Sequence, residues 1–346
     1  MDLLDAKILI TGASGTLGKQ LIYELDRRGI KPIAQVRKTS DTAYIDSFGL
    51  EKRVADLCIS DQIPGLVEDI DVIIHTAAWV NFRQDRSNEF TKINTIAANQ
   101  LFHAAQKAGV KRFIHISTIA AIAALKRKSD LMNGRVGAPH KVTEKNEFNL
   151  GHLRVPYIQS KHAAEVELGK LADNGETDLV IVNPSIIVAP SRTGDDRGKT
   201  IKAFSRWFMP DFPNRVNLVD IRDVAPAVIS AVEKGRSGER YILAGDNITI
   251  SELTLAVSSI LGKMPHLVRL PAWLLNLTAR FSVTLGKFNR RKVSFYPDLV
   301  KLLKYDWSYS SMKARRELGF SSRSLVVTLN DLLNNSFNGT YMKPKQ

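Results

Sequence analysis

Only one cysteine, Cys58, occurs in the 346 residues. A lone thiol excludes an intrachain disulfide framework and any CxxC-type zinc site, and it suits a reducing compartment. Long apolar runs are missing as well: no segment reaches the ~18 uninterrupted apolar residues of a membrane span. No cleavable leader is expected, because MDLLDAKILITG places an acid first and runs an apolar stretch straight into glycine. Neither repeats nor a low-complexity tract are found. Acidic residues are few against basic ones, 35 to 49, for a net charge of +14. Such an excess attracts anions (phosphorylated cofactors, acidic lipid surfaces or nucleic acid) and says nothing of the fold. The basic residues are scattered over Lys126 to Lys128, Arg290 to Lys292 and Lys313 to Arg316. No nucleic-acid-reading motif accompanies them, so specific nucleic-acid binding is not expected.

What is present is ordinary for a folded protein, with 44% hydrophobic and 24% charged residues. The length suggests about two domains at roughly 150 residues each. Short apolar runs alternate with longer amphipathic stretches over the first two thirds. KILIT (from Lys7), PIAQVR (from Pro32), DVIIHTAA (from Asp71), RFIHIST (from Arg112) and DLVIVNP (from Asp178) read as strands. KQLIYELDRR (from Lys19), TIAANQLFHAAQKA (from Thr95) and YIQSKHAAEVELGKLA (from Tyr157) read as helices, the first two stopped by Gly29 and Gly109. The alternation predicts an α/β fold: a doubly wound parallel sheet, helices on both faces, ligands at the carboxyl ends of the strands. After Pro184 the pattern loosens; VNLVDIRDVAPAVISAVEKG and RYILAG are expected to return to the sheet. The expected organisation is a nucleotide-binding domain of residues 1–183 and 216–246, with a smaller, mixed substrate-binding lobe built from 184–215 and 247–346.

Gly12, Gly15 and Gly18 lie in TGASGTLG, between the first strand and the first helix. Glycines there permit a tight turn and close backbone approach, and the helix N-terminus offers free N–H groups to a pyrophosphate. The alternative is a purely structural glycine turn. The second strand ends in Arg37 and Lys38, about 20 residues past the glycines, where an NAD site carries an acid for the ribose. A cation suits a 2′-phosphate instead, so NADP(H) is the expected cofactor and NAD(H) the alternative. Asp56 and Leu57 follow the next apolar stretch, placed either to flank an adenine or in a surface turn.

Tyr157 and Lys161 are four residues apart in YIQSK, which puts both on one helix face. A cation beside a phenol favours the phenolate and lowers its pKa, making the tyrosine a proton donor or acceptor near neutral pH. A plain amphipathic surface pair has the same spacing. The strand RFIHIST ends in Ser117 and Thr118; a hydroxyl there serves either a substrate oxygen or a local cap.

TGASGTLG, HTAA (from His75), Asn94, IST, YIQSK, VNPS (from Asn183) and the closing KARRELGF (from Lys313) stand in an order and spacing that resemble the extended short-chain dehydrogenase/reductase family. Within it the chain looks most like the dihydroflavonol-4-reductase and 3β-hydroxysteroid dehydrogenase branch. The resemblance covers nearly the whole chain. It implies a Rossmann-type fold, with Tyr157 as acid/base, Lys161 on the nicotinamide ribose, Thr118 orienting a carbonyl, Ser117 its neighbour, and Asn94 supporting the active-site helix. It further implies that Thr11, Gly12, Ser14, Gly15, Thr16, Leu17 and Gly18 hold the pyrophosphate and Arg37, with Lys38 beside it, the 2′-phosphate. Thr76, Ala77 and Ala78 would line the path from adenosine to nicotinamide, and Asn183, Pro184, Ser185 and Ile186 the nicotinamide itself.

Sugar-nucleotide dehydratases of the family carry Asp-Glu after the catalytic threonine. Ile119 and Ala120 stand there instead, so dehydration is not expected. Epimerases tend to carry V-Y-G and R-P where this chain reads AAIAAL and VNPSIIVAP. The expectation is therefore a reductase acting on a small apolar carbonyl or alcohol, with a sugar-nucleotide epimerase holding NAD(P) tightly as the alternative. Trp207, Phe208, Met209 and Phe212 form an apolar cluster, either pocket wall or lobe core. Leu274, Leu277, Phe281, Leu285 and Phe288 fall on one helical stripe followed by Arg290, Arg291 and Lys292. Residues 270–292 are thus candidates for peripheral membrane contact on a cytoplasmic protein, or for an ordinary helix packed on the lobe. Family members often pair as homodimers, which is the expected assembly.

Overall fold

A computed structural model of the protein describes residues 3–80, 87–126, 140–173, 175–190, 201, 204, 208–211, 214–268, 302 and 304–334. In chain order the elements are β1 (Ile8–Thr11), α1 (Thr16–Asp26), β2 (Ile33–Val36), β3 (Lys52–Val54), β4 (Val72–His75), α2 (Ala97–Lys107) and β5 (Arg112–Ile116). They continue with α3 (Pro156–Ala172), β6 (Asp178–Pro184), β7 (Ile186–Val188), β8 (Arg215–Asp220), α4 (Ile221–Lys234), β9 (Arg240–Leu243) and β10 (Asp246–Thr249). Three helices close the series: α5 (Ile250–Ile260), α6 (Met312–Leu318) and α7 (Leu325–Leu333).

Seven strands form one sheet in the order β9-β6-β5-β4-β1-β2-β3, every pairing parallel. Strand order reverses between β1 and β4, and in open α/β sheets the ligand crevice opens at that point. Successive side chains face opposite sides of a strand, so each strand feeds two cores. Ile8, Ile10, Val72, Ile74, Ile114 and Val180 join one, with Leu21, Leu25, Val224 and Val228 of α1 and α4. Leu9, Ile73, Phe113 and Ile181 join the other, with Leu101 and Phe102 of α2 and Leu168 of α3. Pro156 starts α3 at a position where a missing N–H costs nothing.

β7 follows β6 after one residue and offers an edge to β8, which in turn pairs antiparallel with β10. VNLVD, expected in the main sheet, therefore stands at the centre of this three-stranded sheet, while RYIL returns to the main one as β9. Leu125–Lys126 pairs with Tyr305–Asp306, bringing the C-terminal segment beside the end of β5. Segment 270–292, Trp207 and Phe212 lie outside the described residues, as do the side chains of Phe208 and Met209. Among the described residues no helix is long and apolar enough to cross a membrane.

Candidate active site

The turn between β1 and α1 is built around glycines. Gly12 has φ +67°, and a Cβ there would lie 2.8 Å from both N and Cα of Ala77. A Cβ on Gly18 would lie 2.7 Å from Ala13 Cα. Only glycine lets the loop close this tightly. Gly15 caps α1, whose first turn carries no acidic side chain to occupy its N–H groups. A pyrophosphate fits this cradle by both shape and dipole.

Gln35, in the middle of β2, is 3% exposed. Its Oε1 accepts from Gly12 N–H at 3.0 Å and its Nε2 donates to Ala55 O at 2.6 Å. It ties the glycine turn to the third strand. Sequence reasoning passed over it, although a polar letter inside IAQV was the available signal. Thr76 Oγ1 donates to Thr11 O at 2.7 Å, and the Thr11 hydroxyl lies 2.7 Å from His75 Nδ1. The Thr11 side chain is fully buried, so it faces inward rather than toward a pyrophosphate. Ser14, Thr16, Leu17, Ala77 and Ala78 keep partial exposure along the crevice. Arg37 and Lys38 are exposed at the end of β2. The Asp56 carboxylate accepts from Cys58 N–H at 2.9 Å in a local turn, and Leu57 belongs to the core.

At the carboxyl end of β5, Thr118 has extended backbone, and its hydroxyl accepts weakly from Ala120 N–H at 3.4 Å. Burial pushes the Tyr157 phenol up to about 12, and the nearby Thr118 hydroxyl offsets only part of that rise. The net direction is therefore opposite to the lowering expected from Lys161. Lys161 is 2% exposed and donates to Ile116 O at 2.6 Å, with His115 Nε2 at 3.4 Å. Burial takes its ammonium down to about 8, with Glu165 pulling the other way. Phenol and ammonium lie one turn apart on α3, as the spacing predicts, but desolvation dominates both.

Asn94 sits in a π-helical turn, Thr91–Ile96, that leads into α2. Its Oδ1 accepts from Trp79 N–H at 2.7 Å, while its Nδ2 donates to Trp79 O at 3.1 Å and to Ser160 Oγ at 3.0 Å. Asn94 thus fastens α3 to the segment after β4, and its short side chain is used up in doing so. Asn183 is fully buried, donating to Thr118 O at 3.0 Å and to Glu165 Oε1 at 2.6 Å. The expected nicotinamide wall is thereby reduced, since Ser117 and Ser185 are 5% exposed and Ile186, at 55%, stands open. Tyr157 packs on an apolar cluster that includes Leu153, Ile158, Tyr305 and Trp307.

The chain matches the NAD dependent epimerase/dehydratase family over residues 8–244, from the first residue of β1 to just past β9. It is 30% identical over 330 residues to sterol demethylase protein B of Methylococcus capsulatus, spanning 93% of this chain and 96% of that protein. To a dihydroflavonol 4-reductase-like protein of Synechocystis it is 29% identical over 340 residues, spanning 96% and 95%. The crystal structure of gox2253 shares the fold with a TM-score of 0.78 at 28% identity, covering 97% of this chain and 100% of that one. With a glycine cradle at the switch point and a hydroxyl pair at the end of β5, the protein belongs to the NAD-dependent epimerase/dehydratase family of extended short-chain dehydrogenase/reductases, as an NAD(P)-dependent enzyme.

Proposed function

We propose that the protein is an NADP(H)-dependent oxidoreductase acting on a ketone, or the matching secondary alcohol, of an apolar, steroid-, flavonoid- or lipid-like substrate. The observation that carries this is the Thr118 hydroxyl at the end of β5 acting on the Tyr157 phenol, whose pKa it lowers, with the buried ammonium of Lys161 one turn along the same helix. A nicotinamide bound in the crevice supplies or accepts the hydride. In the reducing direction Thr118 and Tyr157 hydrogen-bond the carbonyl oxygen. The phenol is protonated at neutral pH and gives its proton to that oxygen as negative charge develops there. Lys161 places a cation close by and favours the resulting phenolate. The apolar cluster against Tyr157 supports a weakly polar substrate, as do two relatives named for a sterol and a dihydroflavonol. Exposed Arg37 and Lys38 support a 2′-phosphate on the cofactor.

The test is a carbonyl panel (steroid, flavonoid, β-keto acyl, aldehyde) scored by NADPH oxidation with NADH alongside. Tyr157→Phe is expected to lower turnover ~10²–10⁴-fold, the usual worth of a positioned acid/base, while NADPH still binds. Arg37→Ser is expected to raise the KM for NADPH and leave that for NADH unchanged. Near-normal turnover in Tyr157→Phe refutes the assignment. Interconversion of sugar nucleotides without net NADPH consumption replaces it with epimerisation.

A further inference from the structure

Three neighbouring strands place a polar row inside an otherwise apolar sheet. Thr11, His75 and His115 are register partners across β1, β4 and β5, and none is more than 1% exposed. Two residues back on the same strands stand Leu9, Ile73 and Phe113, all core. Thr11 Oγ1 holds His75 Nδ1 at 2.7 Å. The His75 and His115 rings stack at 5.5 Å between centroids, 26° from parallel. The row ends on Lys161, 3.4 Å from His115 Nε2.

A buried ammonium has three N–H donors, each costly to leave unpaired. Ile116 O takes one at 2.6 Å and His115 Nε2 is placed to take a second, which leaves a third for a ligand. Accepting at Nε2 requires a neutral ring with its proton on Nδ1. Burial, reinforced by the Lys161 charge, takes His75 down to about 3 and His115 well below its ordinary value. Both rings thus stay neutral across the working range. The other ionisable groups around Lys161 are Tyr157 and Glu165 on its own helix, with Arg240 of β9 reaching Glu165 at 3.7 Å.

We propose that His115 is a positioning residue for Lys161: its Nε2 accepts one ammonium N–H, seating the lysine at the end of β5 with its remaining donor free for cofactor, while His75 and Thr11 hold the imidazole in place. The proposal rests on Thr118, Tyr157 and Lys161 being the reductase site. The ammonium is needed for turnover and disappears as pH rises, so removing an acceptor that favours the charged form moves that loss to lower pH.

In the full-length protein, His115→Phe keeps a ring against His75 but removes the acceptor; His115→Gln returns an oxygen near the Nε2 position. His115→Phe should shift the alkaline limb of the kcat profile down by about one pH unit and raise the KM for NADPH severalfold. His115→Gln should recover much of both. A folded His115→Phe with the wild-type limb and KM overturns the proposal. A variant-free check is NMR of the wild-type protein with labelled histidine ring nitrogens. A proton on Nδ1 of His115 agrees with the proposal, and a proton on Nε2 overturns it. Normal turnover in Tyr157→Phe would instead remove the reductase reading itself, so the two failures are separable.

Discussion

Replacing Lys161 with methionine should separate the demands of chemistry from those of folding. The lysine is 2% exposed, and burial holds its ammonium at about 8, well below the ordinary lysine value of 10.5. In the unfolded chain it keeps its proton up to about 10.5. Between those values the unfolded state binds more protons than the folded one, so this group makes the protein more stable as pH rises. Below about 8 the full cost of the buried charge is felt. From about pH 7 to about pH 9.5 the relief amounts to ~1.4 pKa units, or about 2 kcal/mol. Lys161→Met keeps the chain length and loses the charge. The hydrogen bonds to Ile116 O and His115 are already contained in the folded value of about 8 and need no separate correction. Urea unfolding of both ligand-free proteins at about pH 7 and about pH 9.5 reads the difference. Wild type should gain about 2 kcal/mol on the variant between the two pH values, while the variant shows negligible NADPH turnover. A stability difference that does not change with pH would refute the idea that Lys161 is held as a desolvated cation.

Asn94→Ala deletes the three hydrogen bonds to Trp79 and Ser160; at ~1 kcal/mol each the cost is about 3 kcal/mol of stability. Its effect on catalysis should fall on kcat more than on NADPH affinity, because Ser160 lies between Tyr157 and Lys161; steady-state kinetics with direct cofactor titration checks this. Asp220→Ala attacks the anchor of the C-terminal helix. The Asp220 side chain is fully buried and accepts from Arg222 N, Nε and Nη2 and from Thr328 Oγ1 at 2.6–2.9 Å. Removing one partner of such a buried cluster costs ~3–5 kcal/mol, and limited proteolysis should show α7 released first. Protection of α7 equal to wild type would contradict this.

Fully buried parallel strands write themselves as apolar runs, and β1, β2, β4, β5 and β6 were legible for that reason. β3, KRV, carries no such run. β8 was legible as a strand but not in its pairing. VNLVD reads alike in either sheet, and its place is decided by β7, which lies some 30 residues earlier and is three residues long. The same divide runs through the site. A hydroxyl at a strand end pointed to Thr118, and a spacing of four on one helix pointed to Tyr157 and Lys161. The burial of Asn183 was not legible, since it depends on Glu165 of another element. His75 and His115 were visible as polar letters in VIIH and RFIHI, but only cross-strand register stacks them.

Spacing of four on a helix establishes neighbourhood; it does not establish which energy governs the neighbours. For Tyr157 and Lys161 the argument from charge pointed down for the phenol, and desolvation reverses it. The physical reason is where Lys161 spends its donors. By reaching Ile116 O and His115 it pins α3 to the end of β5, as Asn94 pins α3 to the segment after β4 and Glu165 pins it to β6 through Asn183. Three polar fasteners on one helix are costly in an apolar layer unless each is satisfied. Their common effect is to fix the helix that carries Tyr157 against the sheet, and under the proposed function a proton donor positioned in advance does not have to be reorganised during the reaction.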